Sequence, residues 1–400
     1  MINKSKVTSF YLVPIISIGF YFYPIFVACF LFFISYLVSN RKLNIVSCIS
    51  LSLTIALLSQ VFNIYGDAST YYYSYLWNDV NLLNGKIFRY VYFYFSSGVL
   101  NPKNYSFICL FLSIFFLIKT LNIYFSMFNV TAKLKTKILY IILVFYVFQW
   151  SYVTTYENIF AFIVFSYAQA LFFLKNKKIL PLILSFLSIS IHLSSLLFIV
   201  YSLIVFILKS KSNKIIIFIG LLIPFSFILI LSSGRDLPFL DIYMSKFYSY
   251  SQGIWSNYTT TNDYIILVLM IIKMICLIIC IITIIKNGKY KDNVYVKFCI
   301  LMLPIFVWFL CYRTISMRYV YSGSIFFIYV FLIIIYGLEN INIKIKIFVI
   351  FVILSNTLSP ISMQGLNGLI SNINYNVLSG DIITIFSDDI IIDNGERTVN

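Results

Sequence analysis

Charge is what this sequence has least of. Only 10% of its 400 residues are charged, against about 25% in an average soluble domain, so no ordinary water-facing surface can be built from it. Acidic residues are scarcer still, with 13 Asp and Glu, and there is a single histidine, His192. The sequence has no P-loop, no GxSxG, no HExxH and no DxD pair, which leaves nucleotide hydrolysis, serine-esterase chemistry and metal-held nucleotide-sugar chemistry without support. Seven cysteines occur, none in a CxxC pair and all within apolar runs. Neither disulfides nor a metal site is expected from them, and they read as small core residues. No small-residue cleavage site follows the first apolar run, Phe10 to Val38, so that run is expected to stay as a helix rather than leave as a signal peptide.

What is present is apolar. Hydrophobic residues make up 61% of the chain and aromatics 20%, with 33 Tyr and 41 Phe, and the mean hydropathy is +0.96. This composition defines an all-α integral membrane protein, with aromatic belts at the bilayer surfaces. A helical span needs about 20 apolar residues. Runs of that kind lie near 10–38, 43–62, 105–128, 137–153, 156–174, 179–208, 214–232, 263–285, 294–311, 319–337 and 345–361. About twelve spans are predicted (11–13), because 10–38 contains Pro14 and Pro24 and reads either as one kinked helix or as a hairpin. No repeat or low-complexity linker interrupts the chain, so residues 1–400 read as one membrane domain.

The net charge of +16 does not indicate nucleic acid, because the basic residues come in small groups between apolar runs. Arg41/Lys42, Lys133/Lys135/Lys137, Lys175/Lys177/Lys178, Lys209/Lys211/Lys214, Lys286/Lys289/Lys291/Lys297 and Lys344/Lys346 hold 17 of the 29 Lys and Arg, and the positive-inside rule puts them in the cytoplasm. Outer loops are then expected at about 63–104 and 233–262, with a short one at 312–318 and a polar tail at about 364–400. Of the acidic residues only Asp292 and Glu339 fall on the basic side. The run 179–208 has a basic cluster at each end and must therefore enter and leave on one side. It is predicted to be two short helices bent at Ile191-His192-Leu193-Ser194-Ser195, with the histidine at the outer mouth.

Candidate site residues collect on that outer side. Asp67, Tyr71 and Tyr75 are spaced i, i+4, i+8 and share a face if helical; a carboxylate beside stacking rings suits a sugar, while a helix cap followed by interfacial tyrosines is the plainer alternative. Arg89, Arg235, Arg313 and Arg318 run against the positive-inside bias. Guanidinium groups grip phosphate through paired hydrogen bonds, although lipid headgroups, Asp236 or Asp263 would serve equally as partners of Arg313 and Arg318. His192 can act as a base or donor near neutrality, or simply cap a helix. Glu157 is either a second carboxylate base or the ion partner of an outer arginine. Lys273, near mid-membrane, should face protein or a water-filled cavity.

Taken together, the pattern resembles the Wzy/EpsG group of polysaccharide polymerases. The residues that carry the likeness are a basic turn after the first hydrophobic segment, the outer motif Gly66, Asp67, Tyr71 and Tyr75, the bend at His192, Leu193 and Ser194, and Arg318-Tyr319 opening a late helix. Members often place an Arg-Gln pair where this chain has Glu157-Asn158, which reverses the sign. The resemblance implies a C-type glycosyltransferase fold in a bacterial cytoplasmic membrane. It also implies an activity: transfer of a growing glycan from undecaprenyl pyrophosphate onto an incoming lipid-linked repeat unit at the outer face, giving O-antigen, capsule or exopolysaccharide. In that reading Asp67 or His192 attends the acceptor hydroxyl, Arg313 and Arg318 attend the pyrophosphate, and Tyr71, Tyr75, Arg89, Arg235, Glu157 and Lys273 line the substrate. No cofactor is required. Expected partners are the lipid-linked donor and acceptor, membrane lipid, a chain-length regulator and a flippase. An O-antigen ligase, a lipid-linked oligosaccharide flippase or transporter, and a membrane acyltransferase are the rival readings.

Overall fold

Backbone N–H and C=O groups that enter a bilayer must be satisfied within the chain, and an uninterrupted apolar run does this by becoming a helix. The computed structural model describes residues 16–38, 45–61, 86–96, 103–128, 134–153, 156–232, 256–339 and 341–371, with a few isolated positions besides, and every regular element among them is helical. In chain order these are α1 (Pro24–Val38), α2 (Ile45–Val61), α3 (Ile87–Ser96), α4 (Lys103–Ser126), α5 (Leu134–Val147), α6 (Tyr156–Lys175), α7 (Ile179–Ile191), α8 (Ser195–Leu208), α9 (Asn213–Ser232), α10 (Thr261–Asn287), α11 (Val294–Phe309), α12 (Arg313–Gly337), α13 (Ile343–Thr357) and α14 (Pro360–Ser371). Four of them, α4, α6, α10 and α12, are long and apolar enough to cross a membrane; six more are shorter apolar helices.

The described part of each of the eleven apolar runs is helical over most of its length, and the run 179–208 divides where expected, between Ile191 and Ser195. Near its start the chain bends at Pro24: the Tyr23 N–H donates to the Gly19 carbonyl and the Val27 N–H to the Tyr23 carbonyl, yet a Cβ on Gly19 would lie 3.4 Å from Val27 Cγ2, far closer than the about 12 Å that eight residues of straight helix span. Two helices lie where loop or tail was expected. α3 falls within 63–104, and α14 runs into the tail.

The bundle is apolar on its surface as well as in its core. α7 exposes Ile179 (78%), Leu182, Ile183 and Phe186 while burying Pro181, Leu184, Ser188 and Ile191, a distribution suited to lipid rather than water. α12 sits at the centre, with its apolar side chains buried from Val320 to Ile334. It changes pitch repeatedly: α over Arg313–Ser316, π over Met317–Tyr321, 3-10 over Ser322–Phe327, α over Ile328–Leu332 and π over Ile333–Gly337. Glycine permits one close approach here. A Cβ at Gly220 on α9 would meet the Leu301 carbonyl oxygen of α11 at 2.9 Å.

Side-chain contacts sort the helix ends into two groups. At one end Tyr36 and Lys137 bond each other's backbone carbonyls, Lys175 Nζ reaches Ser126 Oγ at 3.3 Å, Lys297 Nζ takes the carbonyls of Lys209 and Lys211, and Lys289 takes that of Gly337. Two of the basic clusters of the sequence therefore meet, through Lys297 and the Lys209–Lys211 carbonyls, while Arg41, Lys42 and Lys133 lie outside the described residues. Asp292, one of the two acidic residues expected on that side, pairs with Lys297 at 3.2 Å. Glu157, Asp263, Arg89, Arg313 and His192 belong to the opposite ends of their helices.

Candidate functional site

The helix-breaking turn at His192 is built from its own hydrogen bonds. His192 takes an extended backbone (φ −155°, ψ 124°) and closes α7 by donating its N–H to the Ser188 carbonyl. Its own carbonyl then accepts from the Ser195 N–H at 3.1 Å and the Ser195 hydroxyl at 3.0 Å, which starts α8. The Ser194 N–H lies 3.2 Å from Nδ1 of the imidazole and the Ser194 Oγ 2.8 Å from it. A backbone N–H can only donate, so Nδ1 is the acceptor and the neutral ring carries its proton on Nε2. The Ser194 hydroxyl also reaches Asn158 Oδ1 at 3.3 Å, tying the turn to the first turn of α6.

α7 and α8 both follow α6. Ser188 Oγ bonds the Ala161 carbonyl, Ser194 meets Asn158, and Ser202 accepts from Gln169 Nε2 at 2.8 Å. α7 thus runs antiparallel to α6 toward the Glu157 end, and α8 returns parallel to it. At 1.5 Å per residue each is about 20 Å long, so the pair enters and leaves at the basic end with His192 at its far tip.

Beside that tip sits Glu157, fully buried. Arg89 grips it with both arms, Nε to Oε1 at 2.6 Å and Nη2 to Oε2 at 2.5 Å. Lys86 adds 3.1 Å to Oε2, and the Tyr105 hydroxyl donates to Oε1 at 2.9 Å. Of the two roles open to Glu157, the structure shows that of ion partner of an arginine, Arg89. Two cations face one carboxylate here. The sequence reading missed Lys86 and Tyr105. Lys86 and Arg89 share a helical face at i, i+3, a signal obscured because the aromatic stretch they open was expected to be loop.

Arg313 and Arg318 differ in their surroundings. Arg313 donates from Nε to Asp263 Oδ1 at 2.7 Å, so the Asp263 alternative is the observed one. Asp263 also caps its own helix, accepting from the Thr260 N–H through Oδ2 while its N–H bonds the Thr260 hydroxyl. Arg318 is half-buried on the π segment. Its neighbour Tyr319 is wedged against Phe162 of α6, Phe198 of α8 and Phe309 of α11, at 6.1, 6.0 and 5.1 Å between ring centroids. Arg318 is thereby carried on a turn that packs against α6 and α8, whose first turns lie beside Glu157 and His192. Lys273 stands apart, completely buried within the bundle. Asp67, Tyr71, Tyr75 and Arg235 lie outside the described residues. Of the cysteines, five are buried, Cys29 is half-buried and Cys311 is exposed.

Fold and site together define, among the described residues, an all-helical bundle with four helices long and apolar enough to cross a membrane and a charged, hydroxyl-rich cluster at the end opposite Lys175, Lys209 and Lys297. No family model, curated protein or solved structure matches this chain.

Proposed function

We propose that this protein is a glycosyltransferase of about twelve spans (11–13) and C-type fold, which polymerises undecaprenyl-pyrophosphate-linked repeat units into surface polysaccharide at the outer face of a bacterial cytoplasmic membrane. The observation that carries the reading is the gathering of the His192–Ser194 turn, the Lys86–Arg89–Glu157 cluster, Arg313 and Arg318 at the end opposite the basic loops. Lipid-linked sugars with charged leaving groups present their chemistry at such a membrane surface.

The reaction breaks the bond between the anomeric carbon and a pyrophosphate oxygen, forms one to an acceptor hydroxyl oxygen, and releases the hydroxyl proton. A carboxylate takes that proton, and Asp67 is assigned this role because Glu157 is locked between two cations. With Nδ1 committed to Ser194, His192 works through Nε2–H as a donor, orienting the acceptor or a phosphoryl oxygen. Arg318 neutralises the departing pyrophosphate, with the Lys86–Arg89–Glu157 cluster, which holds two cations to one carboxylate, adding to the local positive field.

Deleting the gene and running the surface glycan on a gel tests the reading. A polymerase deletion removes the ladder and leaves a single repeat unit at the surface; loss of both signals a flippase or a ligase and overturns the assignment. A transporter is the second reading worth keeping, because Lys273 is a buried ionisable group in mid-bundle.

A further inference from the structure

At the basic end of the bundle one buried ammonium ties two connections together. Lys297, 1% exposed, spends its three donors there, on the carbonyls of Lys209 and Lys211 at 2.6 and 3.1 Å and on Asp292 Oδ1 at 3.2 Å. Asn213 Nδ2 adds a bond to the Lys291 carbonyl at 3.3 Å. The turn from α8 to α9 and the connection from α10 to α11 are therefore held as one joint, with the Lys209 and Lys211 carbonyls directed inward. Lys209, Lys211, Lys214 and Lys291 stay exposed on it. Asp292, the carboxylate of the joint, is already paired with Lys297, and among the described residues no carboxylate pairs with those exposed lysines. α9 opens in the same turn, at Asn213, and adds the positive end of its dipole.

The surface that runs away from this joint is apolar. α8 exposes Leu203, Phe206 and Ile207, the last to 75%, and α9 exposes Ile215, Phe218 and Leu221. Both helices pack on α11 and scarcely on each other, so each keeps an uncovered flank leading up to the lysines. Lys209 marks where the two surfaces meet: its Nζ lies 4.4 Å from the centroid of the Phe206 ring. An ammonium folded back on an exposed ring stands at the boundary where a lipid headgroup joins its acyl chains. A free anion would use the lysines alone, and an uncharged apolar partner the flanks alone.

We propose that this joint is a binding site for an anionic phospholipid, its phosphate held by Lys209, Lys211, Lys214 and Lys291 and its acyl chains laid along the exposed flanks of α8 and α9. Like charges gathered on a fixed backbone repel one another, and a headgroup of net negative charge relieves that repulsion. A zwitterionic headgroup does so poorly, because it brings a cation of its own among the lysines. The site is separate from the cluster at His192 and does not depend on the glycosyltransferase reading.

The test uses the full-length protein in detergent, with bound lipid counted by native mass spectrometry and thermal unfolding followed as phosphatidylglycerol or phosphatidylcholine is added to the micelles. Phosphatidylglycerol should stay bound and raise the unfolding midpoint as the site fills; phosphatidylcholine, and inorganic phosphate at equal concentration, should do neither. Lys209→Gln/Lys211→Gln/Lys214→Gln should raise the half-saturating phosphatidylglycerol concentration about tenfold or more. Lys175→Gln/Lys177→Gln/Lys178→Gln, which removes the same charge from the exposed α6-to-α7 connection, should leave it nearly unchanged. Equal retention of the two lipids overturns the proposal. So does an equal loss in both triple variants, which would mean diffuse attraction to every lysine, and so does full competition by inorganic phosphate, which would mean an anion site with no seat for acyl chains. Should the first triple variant fail to accumulate, Lys214→Gln/Lys291→Gln takes its place, and undiminished binding in that variant overturns the proposal.

Discussion

At the scale of single residues, Glu157 shows how burial decides chemical role. This carboxylate is hydrogen-bonded through Oε1 to Arg89 and Tyr105 and ion-paired through Oε2 with Arg89 and Lys86. Its work is to hold Arg89 and Lys86 in place. Removing one partner of a buried pair costs about 3–5 kcal/mol, because the other charge is left uncompensated, whereas replacing both by apolar groups is often close to neutral. Glu157→Leu should therefore reduce the amount of folded protein sharply, and Arg89→Leu/Glu157→Leu should recover most of it, read by the fluorescent-detergent elution profile. If the double variant is restored in amount yet makes no polysaccharide, Arg89 acts on substrate; if the ladder returns as well, the pair is purely structural. Arg313 and Arg318 separate by similar reasoning. Arg318→Ala should abolish polymer at normal protein level, while Arg313→Ala should first lower the level, since it strips Asp263 of its partner. An Arg318→Ala strain with an unchanged ladder removes that residue from the mechanism.

Among the elements, α12 carries most of the site and is the least regular helix in the molecule. A π turn holds one more residue than the α turn it replaces, so it sets the rotation of everything on one side relative to the other. Deleting Val320 should convert the π turn to α and swing Arg318 by about 100° about the axis, from 3.6 residues per turn, relative to the Ser322–Ser324 face. The expected result is a protein with unchanged helical circular dichroism and no polymer; a retained ladder would show that the register of Arg318 is unimportant. The sequence displayed some of this and hid the rest for identifiable reasons. The apolar runs and basic clusters were legible because both follow from the cost of burying charge and bare backbone in lipid. The His192 bend was legible because Lys175/Lys177/Lys178 and Lys209/Lys211/Lys214 pin both ends of one run. By contrast α3 was read as loop, since Tyr and Phe between Lys86 and Ser96 serve equally as an interfacial belt. The grip of Lys86, Arg89 and Tyr105 on Glu157 joins three segments distant in sequence, and nothing local announces it. The pitch changes of α12 are likewise a product of packing, with Ser322, Gly323 and Ser324 the only local hint.

For the molecule as a whole, everything rests on which end faces out, and the chain carries its own reporter. Lys297 joins two of the basic clusters at one end, and Lys or Arg in short loops sets orientation more strongly than acidic residues do. The opposite end, with Asp263 and Arg313, is therefore expected outside. Cys311 lies two residues before Arg313 and is exposed, while Cys48, Cys109, Cys276, Cys280 and Cys299 are buried and Cys29 half-buried. A membrane-impermeant maleimide applied to intact protoplasts should thus label the wild-type chain, and Cys311→Ser should remove the signal. Lys211→Cys placed in the Cys311→Ser background should react only after the membrane is opened. The reverse pattern would turn the bundle over and place His192, Arg318 and the Glu157 cluster in the cytoplasm. Lipid-linked repeat units that have crossed to the outer leaflet could not reach them there, and the proposed polymerisation would lose its setting even with every contact within the bundle intact.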